Sequence, residues 1–129
     1  TLFQGWIEFV KQGAPTVPLL ITETGLSVSP NAPHVGPPDY GYGGNTEAEQ
    51  AEGLVQRWKD VTTATPPMAG VCIHEYLDAW WKFSLEDSYQ HEPDDVEEWF
   101  GLVSIEPYRT WYRTKARKAY YALNRVWSR

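Results

Sequence analysis

A single cysteine, Cys72, occurs in the 129 residues, so the chain can form no internal disulfide and offers no thiolate cluster to a metal. Metal ligation through histidine is equally unsupported. His74 and His91 have glutamates beside them but lack the i, i+4 partner of a helical zinc pair. There is no Gly-x-Ser-x-Gly turn to present an acyl-transfer serine. The cluster Gly41-Tyr42-Gly43-Gly44 lies in a proline-rich segment, not between a strand and a helix, so it is not read as a phosphate cradle. No run approaches the roughly 20 apolar residues of a membrane helix, and no membrane partner is expected. Cations are few: the formal net charge is −6, which argues against nucleic acid as a partner.

What the chain does contain is aromatic. Seven Trp and eight Tyr exceed what a small core needs, and many lie in the second half beside Pro, Gly and acidic residues. Flat apolar rings with a polar edge suit the faces of sugars, although core packing is the commoner use of any one ring. Apolar content of 42% and charged content of 22% are those of a soluble globular protein. The charge is uneven. Arg109, Arg113, Lys115, Arg117, Lys118, Arg125 and Arg129 are seven of the eleven cationic residues, whereas acids crowd between Glu86 and Glu98. The basic tail reads as the solvated face of a helix rather than a nucleic-acid arm. Cys72, inside an apolar run, reads as a small core residue.

Phe3, Trp6, Ile7 and Val10 have the spacing of an amphipathic helix that stops near Gly13. Pro15 and Pro18 then fence off an apolar strand, from about Val17 to Glu23. Residues 25–45 are too rich in Pro and Gly for regular structure, and a loop of that length is usually functional or disordered. Thr46 and Glu49 form a capping box, and Ala48, Ala51, Leu54, Val55 and Trp58 carry one helical face to about Thr62. Pro66-Pro67 ends it. Met68 to Ile73 is a second apolar run, and continuous apolarity marks a strand covered on both faces, as in parallel sheets. The last element, about Arg109 to Trp127, reads as a helix with Ala116, Ala119, Tyr120, Leu123 and Trp127 inward.

The expected order is therefore helix, strand, helix, strand, helix, an α/β pattern with parallel strands. Two strands alone leave open edges, and such a sheet is barely stable. A closed (β/α)8 TIM barrel needs about 250 residues. Residues 1–129 are thus expected to be the C-terminal fragment of a larger barrel, supplying strands 7 and 8 and requiring the remainder of the barrel as partner. The rival is a small autonomous α/β domain, or an assembly in which chains complete each other's sheet. In either case Glu23 is the residue of most interest. A carboxylate at the C-terminal end of a barrel strand sits where such folds keep their chemistry.

Four segments carry a resemblance. Pro18-Leu19-Leu20-Ile21-Thr22-Glu23-Thr24-Gly25 resembles the seventh-strand nucleophile segment of retaining glycoside hydrolases of the (β/α)8 clan that includes families 2 and 5. The stretch from Gly70 to Lys82, with Ile73-His74-Glu75-Tyr76 at its centre, resembles the eighth strand and its loop. Glu97 to Val103 and Arg117 to Leu123 resemble the terminal loop and helix of family 2-like barrels.

That resemblance implies a retaining O-glycosyl hydrolase or transglycosylase acting on a β-linked glycan, with no cofactor. It makes Glu23 the nucleophile. The family's acid/base glutamate follows an asparagine on the fourth strand, and no Asn-Glu pair occurs here. Tyr76 matches the position of a tryptophan that floors the cleaved sugar. Glu75 resembles a residue that orients its neighbours, although its own place at a strand end makes it a rival second carboxylate. His74 is a further substrate contact. Trp80 and Trp81 line further subsites or pack, and Tyr42, with His34 and Tyr40, lies on the loop over the pocket. The alternative class is a glycan-binding or structural module that does not cut.

Overall fold

The computed structural model describes residues 3–14, 16–64, 68–82 and 91–128. Pro15, Pro66, Pro67, Glu86 and Arg129, named above, lie outside them. The fold is mixed α/β. Helix α1 (Gln4–Gly13) precedes strand β1 (Leu19–Thr24); α2 (Glu47–Thr63) precedes β2 (Met68–Ile73). A short 3-10 turn (Val96–Trp99), strands β3 (Val103–Tyr108) and β4 (Trp111–Ala116), and helix α3 (Lys118–Trp127) follow. β1 and β2 pair in parallel, and β3 and β4 form an antiparallel hairpin.

The capping box at the start of α2 forms as its residue types dictate. Thr46 N–H donates to Glu49 Oε2 at 2.8 Å, and Glu49 N–H donates to Thr46 Oγ1 at 3.2 Å. The inward stripe of α2 then meets α3. Leu54, Leu102, Ala119 and Leu123 form one core cluster, with Ala51, Val55, Ile73, Tyr120 and Val126 around it. Burial of each of these leucines contributes about 1.5–3 kcal/mol. A second cluster joins Phe3 and Ile7 of α1 to Val61 of α2, over Ile21, Met68 and Val71 of the strands. Trp6, expected on the inward face of α1, instead points outward and is 65% exposed; its ring meets Phe9 edge-on.

All three helices therefore lie on one face of the β1–β2 pair. The other face is bare among the described residues: Leu20, Ala69 and Cys72 are exposed. This corrects two expectations. Continuous apolarity predicted cover on both faces, and Cys72 was read as core. Among the described residues only the helix-side face finds a partner layer.

A third correction concerns the C-terminal region. Residues 111–116 are a strand, not the first turns of the last helix, so the chain has four strands among its described residues. The run Trp111-Tyr112-Arg113-Thr114-Lys115 has no apolar stripe at helical spacing, and its aromatic and β-branched residues favour extended backbone. It pairs residue for residue with β3, from Tyr108 opposite Trp111 to Val103 opposite Ala116. Helix α3 begins only at Lys118.

The long Pro/Gly segment has no helix or strand, as predicted, yet it is closely tied down. Asn45 Nδ2 donates to Ser27 O at 2.9 Å and to Gly41 O at 2.8 Å, closing the loop on itself. Val28 N–H donates to Trp99 O at 3.1 Å, and Ser27 Oγ to Val96 O at 2.8 Å. Gln50, fully buried on α2, sends its amide to Leu26 O at 3.0 Å.

Candidate functional site

The C-terminal ends of β1 and β2 form a rim. His74 N–H donates to Thr24 O at 2.8 Å, which locks the two strand ends together. Between Ile21 and Thr24 the register slips: Ile21 faces Val71 and Thr24 faces Ile73, so three steps on β1 match two on β2. Strict alternation would place Glu23 with Ile21 on the helix side. The bulge instead leaves Thr22 and Glu23 together opposite Cys72, and both are exposed on the bare face. Among the described residues nothing hydrogen-bonds or ion-pairs with the Glu23 carboxylate.

Arg57 of α2 braces the exit of the bulge. Its Nη1 donates to Thr24 Oγ1 at 2.8 Å and to Gly25 O at 2.6 Å. Burial lowers the Arg57 pKa from its usual value, with Tyr40 acting against that. Gly25 admits no side chain. A Cβ there would lie 2.2 Å from His74 O and 2.6 Å from a Phe100 ring carbon.

The end of β2 supplies a polar network centred on a residue the sequence reading did not select. Lys82 Nζ lies 2.8 Å from His74 Nε2, 3.5 Å from Glu75 Oε1 and 3.7 Å from Glu97 Oε2. A protonated lysine donates to the ring nitrogen, so His74 presents Nε2 as acceptor and carries its proton on Nδ1. Glu75 Oε1 is shielded from solvent and has no hydrogen bond, so its partner is the Lys82 ammonium at 3.5 Å. The only sequence signal for Lys82 was its place at the end of an aromatic run.

Phe100 packs between His74 and Tyr42, at ring-centroid distances of 5.3 Å to each. Tyr42 is thereby joined to the rim from the loop while remaining 65% exposed. Tyr76 is 66% exposed and presents its ring to solvent just past β2. Trp81 is also largely exposed.

Trp80 belongs to a different cluster. Its ring stacks on His91 at 3.8 Å and meets Tyr112 edge-on at 5.5 Å. His91 Nδ1 hydrogen-bonds Glu98, whose carboxylate is fully buried and accepts also from Glu92 N–H at 2.9 Å. His34 and Tyr40 do not reach the rim: His34 Nε2 pairs with Glu49 at 2.7 Å, and Tyr40 lines a separate cavity of about 670 Å³ with Arg57 and Glu52.

Behind the rim, Asp78 and Arg117 form a buried bidentate pair, with Nη1–Oδ1 at 2.6 Å and Nη2–Oδ2 at 2.7 Å. Arg117 also donates to Gly101 O at 2.6 Å, and Gly101 N–H donates to Asp78 Oδ1 at 3.0 Å. Burial pushes the Asp78 carboxyl up, and the guanidinium pulls it back. This knot holds residues 74–79 against 98–103, where Leu102 N–H meets Glu75 O and Val103 N–H meets Tyr76 O, each at 2.9 Å.

Among the described residues no group of three or more His, Cys, Asp or Glu side chains is arranged to hold a metal ion, and no helix is long and apolar enough to cross a membrane. In comparisons with family models, curated proteins and solved structures, the chain matches none.

Proposed function

We propose that this chain is the nucleophile-bearing C-terminal part of a retaining β-glycoside hydrolase, or of the related transglycosylase, built on a (β/α)8 barrel. The observation that carries the reading is the bulge at Thr22 and Glu23. It turns a glutamate at the C-terminal end of a parallel strand onto the open face, away from the helices. The bare face supports the same reading. Leu20 and Cys72 are disposed as the inner wall of a larger barrel would be if its other strands came from a further part of the protein.

In such a site the Glu23 carboxylate attacks the anomeric carbon of a carbohydrate substrate while the glycosidic C–O bond breaks. A second carboxylic acid, about 5–5.5 Å away and supplied by the remainder of the barrel, protonates the departing oxygen. The resulting carboxylate then takes a proton from water or from a sugar hydroxyl, whose oxygen attacks the anomeric carbon and releases Glu23. Lys82 holds Glu75 in place beside this centre, and Tyr76 offers its ring to a sugar face. The step uses no cofactor.

The test is covalent trapping. The full-length polypeptide containing this chain is incubated with 2-deoxy-2-fluoro-β-glycosyl fluorides of gluco, galacto, manno and xylo configuration, then mapped by peptide mass. An adduct on Glu23, lost in Glu23→Gln and retained in Glu75→Gln, is the expected result. Labelling at another residue, or labelling that survives Glu23→Gln, removes Glu23 from the mechanism. A second reading, a glycan-binding module without turnover, draws on one observation: the other rim carboxylates, Glu75 and Glu97, are both tied to Lys82. It predicts saccharide binding with no adduct.

A further inference from the structure

The β3–β4 hairpin presents a face that the rim chemistry does not use. Pairing register and strand alternation place Ser104, Glu106, Tyr108, Trp111, Arg113 and Lys115 on one side. Val103, Ile105, Pro107 and Tyr112 lie on the other, where Tyr112 meets Trp80. On the first side Tyr108 and Trp111 sit directly opposite each other, and Trp111 is 78% exposed. The Arg113 guanidinium stands 5.1 Å from the Tyr108 ring centre, and that of Arg109, at the hairpin tip, stands 5.3 Å from it.

Glu106 is the single carboxylate of this face. It accepts from Arg113 Nη2 at 3.1 Å and lies 3.5 Å from Lys115 Nζ. One carboxylate against Arg109, Arg113 and Lys115 leaves the face with two positive charges in excess, on a chain whose net charge is −6. Arg109 also has φ of 56°, a left-handed conformation at a hairpin position where glycine is the usual residue. A cationic side chain stands at the one place on the tip where sterics favour having none.

We propose that this hairpin face binds an anionic glycan, a saccharide chain bearing carboxylate or sulfate groups. The two adjacent rings provide flat apolar contact for sugar faces, and the flanking cations take the acidic groups. Alternate residues along β4 are about 7 Å apart, so Arg113 and Lys115 can meet successive charges on an extended chain. Charge decides between polyanions. Nucleic-acid affinity grows with each phosphate neutralised, and two excess cations on a molecule of net charge −6 neutralise few, whereas sugar recognition rests chiefly on ring contact with one or two ionic anchors. The surface is separate from the Glu23 rim, and only the choice of a sugar ligand leans on the proposed function.

Affinity electrophoresis of the chain through gels containing polygalacturonate, chondroitin sulfate or neutral dextran tests this, with single-stranded DNA at equal charge concentration as a fourth arm. Retardation is expected with either or both acidic glycans, and which of them is effective identifies the acidic group. It should weaken as salt is raised and be absent with dextran. Trp111→Ala, Arg113→Gln and Lys115→Gln, each checked for an unchanged circular dichroism spectrum, should weaken it about fivefold or more. No retardation of the wild-type chain by either acidic glycan, equal retardation of the folded variants, or retardation by DNA as strong as by glycan overturns the proposal. Fluorosugar trapping at Glu23 is unaffected by these variants, so failure here and failure of the catalytic reading are distinguishable.

Discussion

Replacing Arg117 by methionine keeps the length and the apolar stem of the side chain but strips the Asp78 carboxylate of its bidentate partner. Asp78 is fully buried and Arg117 is 3% exposed, so water cannot step in without opening the structure. What remains to Asp78 are the backbone hydrogen bonds of Gly101 and Ile105, while Gly101 O loses the 2.6 Å donation from Arg117. Breaking a buried pair from one side in this way destabilises by about 3–5 kcal/mol. With an unfolding entropy of about 2.1 cal/mol/K per residue over 129 residues, the fall in Tm is about 11–18 °C.

The pH dependence of that loss has a definite sign. Burial already raises the Asp78 carboxyl, and without the guanidinium only the backbone hydrogen bonds of Gly101 and Ile105 oppose the rise. An acid whose folded pKa lies above its unfolded value takes up its proton more readily when folded. Its relative stability is therefore greatest at low pH and is lost as pH rises through the folded pKa. The gap between wild type and Arg117→Met should narrow on acidification from pH 8 toward pH 5. The double variant Asp78→Asn/Arg117→Met carries no buried charge and should melt above the single variant. Thermal melts followed by circular dichroism at both pH values read all three. A Tm loss under about 4 °C, independent of pH and additive in the double variant, would show that the pair does not hold the loops behind the rim.

Two further outcomes are expected. The Thr46 backbone N–H and, after it, the His34 ring hold the Glu49 carboxyl down to about 2; a depressed acid contributes stability above its unfolded value that is lost as pH falls through the folded one. The attachment of the loop to the start of α2 should therefore loosen between about pH 4.5 and 2, and a Glu49 side-chain titration by NMR that ends near 4.5 would refute the cap's grip. Cys72 is exposed on the bare strand face, so a disulfide reagent should modify it in this chain at the rate of an unhindered thiol, and much more slowly in a protein whose remaining strands cover that face. Slow reaction in this chain alone would mean that the face is already covered.

Local signals were legible in the residues themselves. The Thr46–Glu49 box, the stripe on α2, the apolar run of β2 and the irregular Pro/Gly loop all depend on interactions a few residues apart, and each lies where the sequence predicts. So does the parallel partnership of β1 and β2, since two apolar runs separated by a helix have few other arrangements. The last helix was read too long. Ala119 and Leu123 are buried and Tyr120 packs against them as expected, whereas Trp127 is 50% exposed, and the extension back to Arg109 passed over an alternating segment that pairs with β3.

For the site, Glu23 and its position at the end of a strand were readable, because a carboxylate after an apolar run and before Gly25 is a purely local feature. Which way it points was not. Period-two alternation assigns Glu23 to the helix side, and only the slip between β1 and β2, a property of two strands 49 residues apart, turns it onto the open face. Lys82 reaching His74, His91 reaching Glu98 beneath Trp80, and Arg117 reaching Asp78 across 39 residues are of the same kind. The sequence determined the elements and the chemistry they carry, since these follow from near neighbours. Tertiary structure alone decided facing and pairing, because charges and rings distant along the chain meet only after the backbone has closed around them.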